Sequence, residues 1–225
     1  MYKILTQILP VSHRLRPAGN YKKTSITMHS TGNPDSTPYG ERAWLDNSTN
    51  KRYAAWHFVV GEGVVIQAIP ENEEAWHCGD SFGNKHSLGI EIIESGDRLK
   101  VLQTAAEFTA NLLRSYGFGV DKLKRHYDWT GKNCPRILID KNYIKNGLNW
   151  AWFVETVKSY LEPKETEITA KIEKILMVVN GQEVETRRIM VNGNNYIHLR
   201  DLAGVLDYEI SNKGSIPVLT KKAQN

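Results

Sequence analysis

All six tryptophans of this 225-residue chain lie between Trp44 and Trp152, and none follows. Large aromatic side chains dominate the energetics of a core, so the chain is expected to fold as an aromatic-rich N-terminal body followed by a smaller piece of different character. Charge divides at the same place. Nine basic and nine acidic residues fall between Leu161 and Asn225, which leaves the whole net charge of +4 on the first 160 residues. Between the two regions, Leu161 to Ala170 is polar, contains Pro163 and has no buried-face pattern until Ile172, the composition of a linker. The expected organisation is a domain over residues 1–160, a linker over 161–171 and a small module over 172–225.

Within the first region, Ser25 to Thr31 alternates Ile26 and Met28 with Thr27, His29 and Thr31. That is the period of a strand with one apolar and one polar face, with His29 turned away from the core layer. Trp56 to Val60 and Val64 to Ile69, on either side of Gly61-Glu62-Gly63, read as a hairpin. Leu88 to Glu94 is a further strand, with Leu88, Ile90 and Ile92 on one face and Glu91 on the other. Val101 to Tyr116 carries apolar residues at helical spacing and stops at Gly117, and Trp150 to Leu161 forms a second amphipathic helix that closes the domain. The fold class expected is α/β, a mixed central sheet flanked by helices, with a small C-terminal α+β module. In that module Met177 to Gly181 and Ile189 to Gly193 each end in an Asn-Gly turn signal, and Tyr196 to Leu206 has helical spacing. A strand, strand, helix unit of about 50 residues is marginal alone, so self-association or docking is expected to support it.

Composition narrows the function classes. A hydrophobic content of 40%, 24% charged residues and a mean hydropathy of -0.45 exclude wholesale disorder. Apolar runs such as Phe58 to Val60 fall far short of the roughly 20 residues of a spanning helix, so no membrane insertion is expected, and the N-terminus lacks the apolar stretch of a secretory signal. A net charge of +4 suits an anionic polymer but falls short of a nucleic-acid signature, so no nucleic-acid partner is expected.

Three borderline-soft metal ligands stand in unusual settings. His29 lies on the polar face of its strand, and His126 and Cys134 occur in Arg125-His-Tyr-Asp-Trp-Thr-Gly-Lys-Asn-Cys-Pro-Arg136, where Gly131 and Pro135 indicate a loop able to turn both ligands to one point. Two imidazoles and a thiolate suit zinc, and three protein ligands leave a fourth position for water. The same residues would also suit hydrogen-bonded histidines and a packed thiol.

Ile26-Thr-Met-His-Ser-Thr-Gly-Asn33, Trp56-His-Phe-Val-Val60, Ala75-Trp-His-Cys-Gly-Asp80, Ser87-Leu-Gly-Ile-Glu91 and His126 to Arg136 together resemble the zinc-dependent N-acetylmuramoyl-L-alanine amidases of the type 2 family. This family includes phage endolysins, bacillus autolysins and peptidoglycan recognition proteins. The resemblance runs in order from about Thr24 to about Leu161 and does not extend into the tail. It implies zinc held by His29, His126 and Cys134, and hydrolysis of the amide between N-acetylmuramic acid and the L-alanine of the peptidoglycan stem by zinc-activated water. Glu91 matches the position of a catalytic carboxylate, Lys132 that of a lysine that stabilises the oxyanion, and His77 that of a residue lining the substrate groove, where Asn33 and Trp56 are also expected to bind substrate. The residues alone do not separate Glu91 from a solvated strand charge, and Glu94 reads as such a charge. At Trp56 the chain departs from members with a catalytic tyrosine; an indole cannot act as an acid, which shifts weight onto Glu91. His57 reads as a core or supporting histidine, Cys78 as a packed thiol, and no disulfide is expected.

In the tail, Val191 to Ala203 resembles weakly a repeat of the domain related to the N-terminal part of copper amine oxidases, with His198 an ordinary polar residue. The expected role of the module is cell-wall binding or self-association. The implied setting is an endolysin held in the host cytoplasm until a holin releases it to the wall. The rival is a non-catalytic peptidoglycan-binding protein, against which the complete set of His29, His126, Cys134, Glu91 and Lys132 argues.

Overall fold

The computed structural model describes residues 2–162, 172–191, 194–203, 205–213 and 216–222. The chain divides into two compact units, Met1–Lys164 and Glu165–Asn225. Leu161 is the last helical residue before this division, and the rest of the expected linker, from Pro163 to Lys171, lies outside the described residues.

In chain order the first unit holds β1 (Lys3–Thr6), β2 (Ser25–Ser30), α1 (Pro38–Asp46), β3 (Phe58–Gly61), β4 (Val64–Gln67), α2 (Ser81–His86), β5 (Ser87–Ile92), α3 (Arg98–Tyr116), β6 (Leu123–Arg125), α4 (Tyr127–Thr130), α5 (Arg136–Ile139) and α6 (Trp150–Leu161). The six strands form one sheet in the order β1-β4-β3-β5-β2-β6. Only the β3–β4 hairpin is antiparallel. The pairs β1–β4, β3–β5, β5–β2 and β2–β6 are parallel.

Helix α3 explains one face of this sheet. Asp97 caps it by accepting from the backbone N–H groups of Leu99 and Lys100 at 3.0 and 3.2 Å, and Gly117, at φ +66°, ends it in the left-handed conformation that disfavours a side chain. Its apolar side packs Phe108 edge-on against Phe58, with centroids 4.9 Å apart, and Thr109 against Met28, while α6 adds Phe153 and Val157 to the same core. Strand β2 therefore presents Ile26 and Met28 to the helical layer, as its alternation predicts. The opposite face departs from the sequence reading, because Thr27 and His29 are buried as well. Thr27 hydrogen bonds Ser87 and accepts from the indole of Trp129 at 2.9 Å, so segments without apolar periodicity cover the polar face.

The C-terminal unit differs from the strand, strand, helix expectation. It contains a three-stranded antiparallel sheet of β7 (Ile172–Val179), β8 (Gln182–Val191) and β9 (Asn194–Ile197), a short helix α7 (Leu199–Ala203), and a separate hairpin of β10 (Tyr208–Lys213) and β11 (Ile216–Lys221). Asn180-Gly181 makes the first tight turn with both residues at positive φ, as the Asn-Gly signal predicts. Asn192-Gly193, the second such signal, lies outside the described residues. Tyr196 and Ile197 belong to a strand, and the helix spans five residues. His198 is held by Asp201 at 2.8 Å, and Asp201 also pairs with Arg187 of β8 at 2.6 Å, a network that ties α7 to its sheet.

Because every strand of the six-stranded sheet and both long helices lie within Met1–Lys164, a chain ending at Lys164 is expected to melt in one cooperative transition. Calorimetry checks this, and a truncated chain without such a transition would place part of that core beyond Lys164.

Candidate metal centre

The three parallel neighbours β5, β2 and β6 deliver the central side chains at their C-terminal ends, where ligand sites of parallel sheets form. His29 and Glu91 are register partners on β2 and β5, and Met28 pairs with Arg125. The backbone N–H of His126 then donates to the Met28 carbonyl at 3.2 Å, continuing the ladder one residue past β6 and setting His126 beside His29. Helix α4 follows at once, its start fixed by Asp128, which accepts from the Arg125 backbone at 2.7 Å and pairs with the Arg125 guanidinium. Gly131, at φ +72°, ends that turn and lets the chain double back, so that the Tyr127 N–H reaches the Cys134 carbonyl at 3.0 Å. The eight-residue spacing thus holds a short helix and a glycine reversal.

His29, His126 and Cys134 converge, with their donor atoms within 4.8 Å of one another. The two Nδ1 atoms are 3.1 Å apart, and the Cys134 Sγ is 3.7 Å from His29 Nδ1. A tetrahedral ion with nitrogen at about 2.0 Å and sulfur at about 2.3 Å sets its donors about 3.3 Å and about 3.5 Å apart, close to the two spacings made by His29 Nδ1, while the cluster as a whole spans up to 4.8 Å. The hydrogen-bond network assigns the tautomers. His77 Nε2 donates to the Ser87 carbonyl at 3.4 Å, so its Nδ1 accepts, and His29 Nε2 must donate to it at 2.9 Å. His126 turns Nδ1 to His29 and its Nε2 to the Gly79 side, where the Cys78 backbone carbonyl is the acceptor near the ring, so the proton is assigned to Nε2. Both Nδ1 lone pairs are therefore bare and face each other, a buried arrangement that suits a cation between them.

Electrostatics agree. Burial first, then neighbouring charges, holds His29 well below its ordinary pKa and pushes His126 down to about 4. Burial, with Glu91 adding to it, pushes the Cys134 thiol up to about 12. A thiolate in this position needs a cation beside it. Glu91 is half-buried beside the cluster, its Oε2 enclosed without a hydrogen-bond partner among the described residues. Burial, then Glu41, raises its pKa to about 8, and Lys132 partly opposes this. Lys132 is exposed at the mouth of the same pocket.

Asn33 and Trp56 line this pocket, as does His77, but both ring nitrogens of His77 are engaged within the protein, which makes it a support of His29. Trp56 stacks on Trp44 with centroids 5.8 Å apart. His57 lies outside the cluster, accepting from the Gly89 N–H and bonded to the Glu73 carbonyl. Cys78 and Cys134 are both buried and unpaired. Glu94 corrects the reading as a solvated charge: it is 6% exposed, accepts from the Gly32 N–H at 3.0 Å and forms a forked pair with Arg136 at 2.6 to 3.0 Å. It thereby joins the loop after His29 to the helix after Cys134. Glu41, on α1, also lines the pocket and was not singled out from sequence, since an isolated helical glutamate carries no signal. Gly89 did carry one, a glycine inside a strand pattern: a Cβ there would lie 2.6 Å from His77 Cγ.

Two stability changes follow for the metal-free protein. Glu94→Ala is expected to cost about 3 kcal/mol in urea unfolding, because it leaves a partly buried guanidinium unpaired; a change no larger than that of a surface substitution would contradict this. For Glu91 the folded pKa is raised from 4.5 to about 8, so the proton is held more tightly when folded and stability falls as pH rises through that window. Glu91→Gln removes this penalty. It should match wild type below pH 4.5 and exceed it in melting temperature at pH 8, and an advantage that is independent of pH would contradict the assignment.

Comparison with known proteins agrees with the geometry. The family model for N-acetylmuramoyl-L-alanine amidase matches residues 20–137, which span β2, the 75–80 segment, Glu91 and all three metal-binding candidates. N-acetylmuramoyl-L-alanine amidase CwlA of Bacillus subtilis (strain 168) is 39% identical over 132 residues, covering 55% of this chain and 47% of that protein. Endolysin PlyTW of Staphylococcus phage Twort is 31% identical over 167 residues, covering 64% of this chain and 35% of that protein. The chain thus spans about half the length, or less, of these two relatives. The solved catalytic domain of XlyA superposes with a TM-score of 0.62 at 30% identity, covering 69% of this chain and 99% of that domain. With the matched segment spanning the strands, loop and ligand cluster built up above, the chain belongs to the type 2 family of N-acetylmuramoyl-L-alanine amidases.

Proposed function

We propose that this protein is a zinc-dependent peptidoglycan hydrolase that cleaves the amide between N-acetylmuramic acid and the L-alanine of the stem peptide. The observation that carries the reading is the convergence of two Nδ1 atoms and a buried thiol beside a carboxylate oxygen, Glu91 Oε2, that has no hydrogen-bond partner among the described residues. His29, His126 and Cys134 would hold the zinc. When bound, the ion supplies Lewis acidity, polarising the amide carbonyl and acidifying water at its open position.

The chain's own groups supply the rest. Burial pushes the Glu91 carboxyl towards its protonated form and a cation at the cluster would draw it back towards the carboxylate, so Glu91 is placed to carry a proton: Oε2 would take it from the attacking water and return it to the departing amide nitrogen. Lys132 offers its ammonium at the mouth of the pocket, where negative charge develops on the amide oxygen. The stacked pair of Trp44 and Trp56 gives the groove a flat apolar wall, and Asn33 lies at its rim. Glu94 and Arg136 keep the two ligand-bearing loops at a fixed separation.

The site of action in this reading is the bacterial cell wall. Similarity to the phage endolysin PlyTW supports a phage setting, with accumulation in the host cytoplasm until a holin admits the enzyme to its substrate. In the C-terminal unit, β7 exposes Ile172, Leu176 and Val178 on the same face as Lys174, which pairs with Glu185 of β8, a mixed apolar and charged surface on which the proposed role in wall binding or self-association would rest. Among the described residues no helix is long and apolar enough to cross a membrane.

Mass analysis of digested peptidoglycan tests the reaction. Stem peptides with a new L-alanine N-terminus are expected, whereas new reducing sugars would identify a glycosidase instead. Chelation should abolish this release and zinc restore it, and Cys134→Ser should lose metal and rate together. Glu91→Gln should keep zinc and lower turnover by roughly 10²- to 10⁴-fold; wild-type turnover in that variant would remove Glu91 from the mechanism.

A further inference from the structure

The segment Ala75 to Asp80 lies outside any helix or strand, yet it supplies the acceptors that set both imidazoles of the cluster. Such a segment needs its own fixtures. Its flanks are tied by Lys23, a buried lysine whose ammonium donates to the carbonyls of Glu73 at 2.6 Å and Lys85 at 2.8 Å. Its middle depends on one side chain. Asn84, on α2, accepts at Oδ1 from the backbone N–H of His77 and that of Cys78, each at 3.0 Å, and from the Cys78 thiol at 3.3 Å. Its own carbonyl accepts from the Ala75 N–H at 3.2 Å.

The position of Asn84 is itself specified. Asp80 caps α2 by accepting from the Gly83 N–H at 2.7 Å. Gly83 lets the helix approach closely, since a Cβ there would lie 2.5 Å from Cys78 Sγ and 3.0 Å from the Trp129 ring. On the other side, Gly89 leaves room for the His77 imidazole to lie against β5. The 77–78 main chain is thus gripped by Asn84, with the ring of His77 packed against β5.

We infer that Asn84 is a positioning residue of the metal centre: by fixing the main chain of His77 and Cys78, it holds the two acceptors that keep His29 and His126 with Nδ1 turned to the ion. The inference rests on the reading of His29, His126 and Cys134 as zinc ligands. A side chain that only stabilised the fold would affect melting without selecting an imidazole tautomer, which separates the two roles. Asparagine and aspartate both place an acceptor oxygen at this distance from the main chain, and alanine places none.

The test uses the full chain as wild type, Asn84→Ala, Asn84→Asp and Cys134→Ser. Zinc dissociation constants are measured by chelator competition, and nitrogen-15 correlation spectra of the metal-free proteins report which imidazole nitrogen carries hydrogen. Both His29 and His126 are expected as the Nε2–H form in wild type. Asn84→Ala should weaken zinc binding by about 10- to 100-fold, the usual effect of losing support around a metal ligand, and mix the tautomers. Asn84→Asp should restore the tautomers and most of the affinity. Wild-type affinity in a folded Asn84→Ala, or equal impairment of Asn84→Ala and Asn84→Asp, overturns the inference. If Asn84→Ala does not fold, Asn84→Asp decides: near-wild-type zinc affinity with both histidines in the Nε2–H form is expected, and weakened affinity or an Nδ1–H form of either histidine overturns the inference. A wild-type chain that binds zinc no better than Cys134→Ser sinks the ligand assignment and the inference with it, whereas tight wild-type binding with an unaffected Asn84→Ala sinks the role of Asn84 alone.

Discussion

The structure depends on the burial of β2 between two parallel neighbours. Pairing with β5 and β6 fixes the register that sets His29 beside Glu91 and one step from His126, and a slip of one residue would turn His29 into the layer occupied by Ile26 and Met28. The same burial is costly for the polar face, where Thr27 and His29 would be unsatisfied without partners. Ser87, Trp129 and His77 provide them. The covering segments on this face are therefore chosen for their hydrogen-bonding groups, and the same polar layer carries the candidate metal ligands His29, His126 and Cys134.

That arrangement places reactive groups in forms they would not adopt in water. Burial keeps His29 and His126 neutral and holds both the Cys134 thiol and the Glu91 carboxyl towards their protonated forms. Each shift opposes charge, and a divalent cation at the cluster reverses the balance for the thiol and Glu91 together. The stability of the protein and the convergence of its candidate metal ligands are two consequences of one buried polar layer. The pair of Glu94 and Arg136 belongs to the same logic, a charged contact of low exposure that spans the loops after His29 and Cys134.

Periodicity made part of this legible in the sequence. The alternation of β2, the β3–β4 hairpin, the capped α3 ending at Gly117 and the bounds of α6 all follow local patterns. The three candidate ligands stood out because their residue types and the glycine-bearing loop suit zinc. Strands β1 and β6 did not stand out, being four and three residues long and formed by pairing with distant partners. Glu94 and Asn84 were illegible for a related reason: Glu94 pairs 42 residues away with Arg136, and Asn84 acts on a non-periodic segment. His77 was legible as a site residue, but its role in orienting His29 depends on a contact across 48 residues. In the tail, helical spacing around Tyr196 gave way to pairing with β8, where a strand edge offered more hydrogen bonds than a short helix.

In the proposed centre two imidazoles, through Nδ1, and one thiolate hold a zinc ion beside Glu91. Zinc K-edge X-ray absorption on the purified full chain addresses it directly. Two nitrogen scatterers at about 2.0 to 2.1 Å and one sulfur at about 2.3 Å are expected, with a light-atom scatterer in the fourth position, and loss of the sulfur shell in Cys134→Ser. A wild-type spectrum without sulfur, or one with two sulfur scatterers, would contradict the ligand set on which the rest is built.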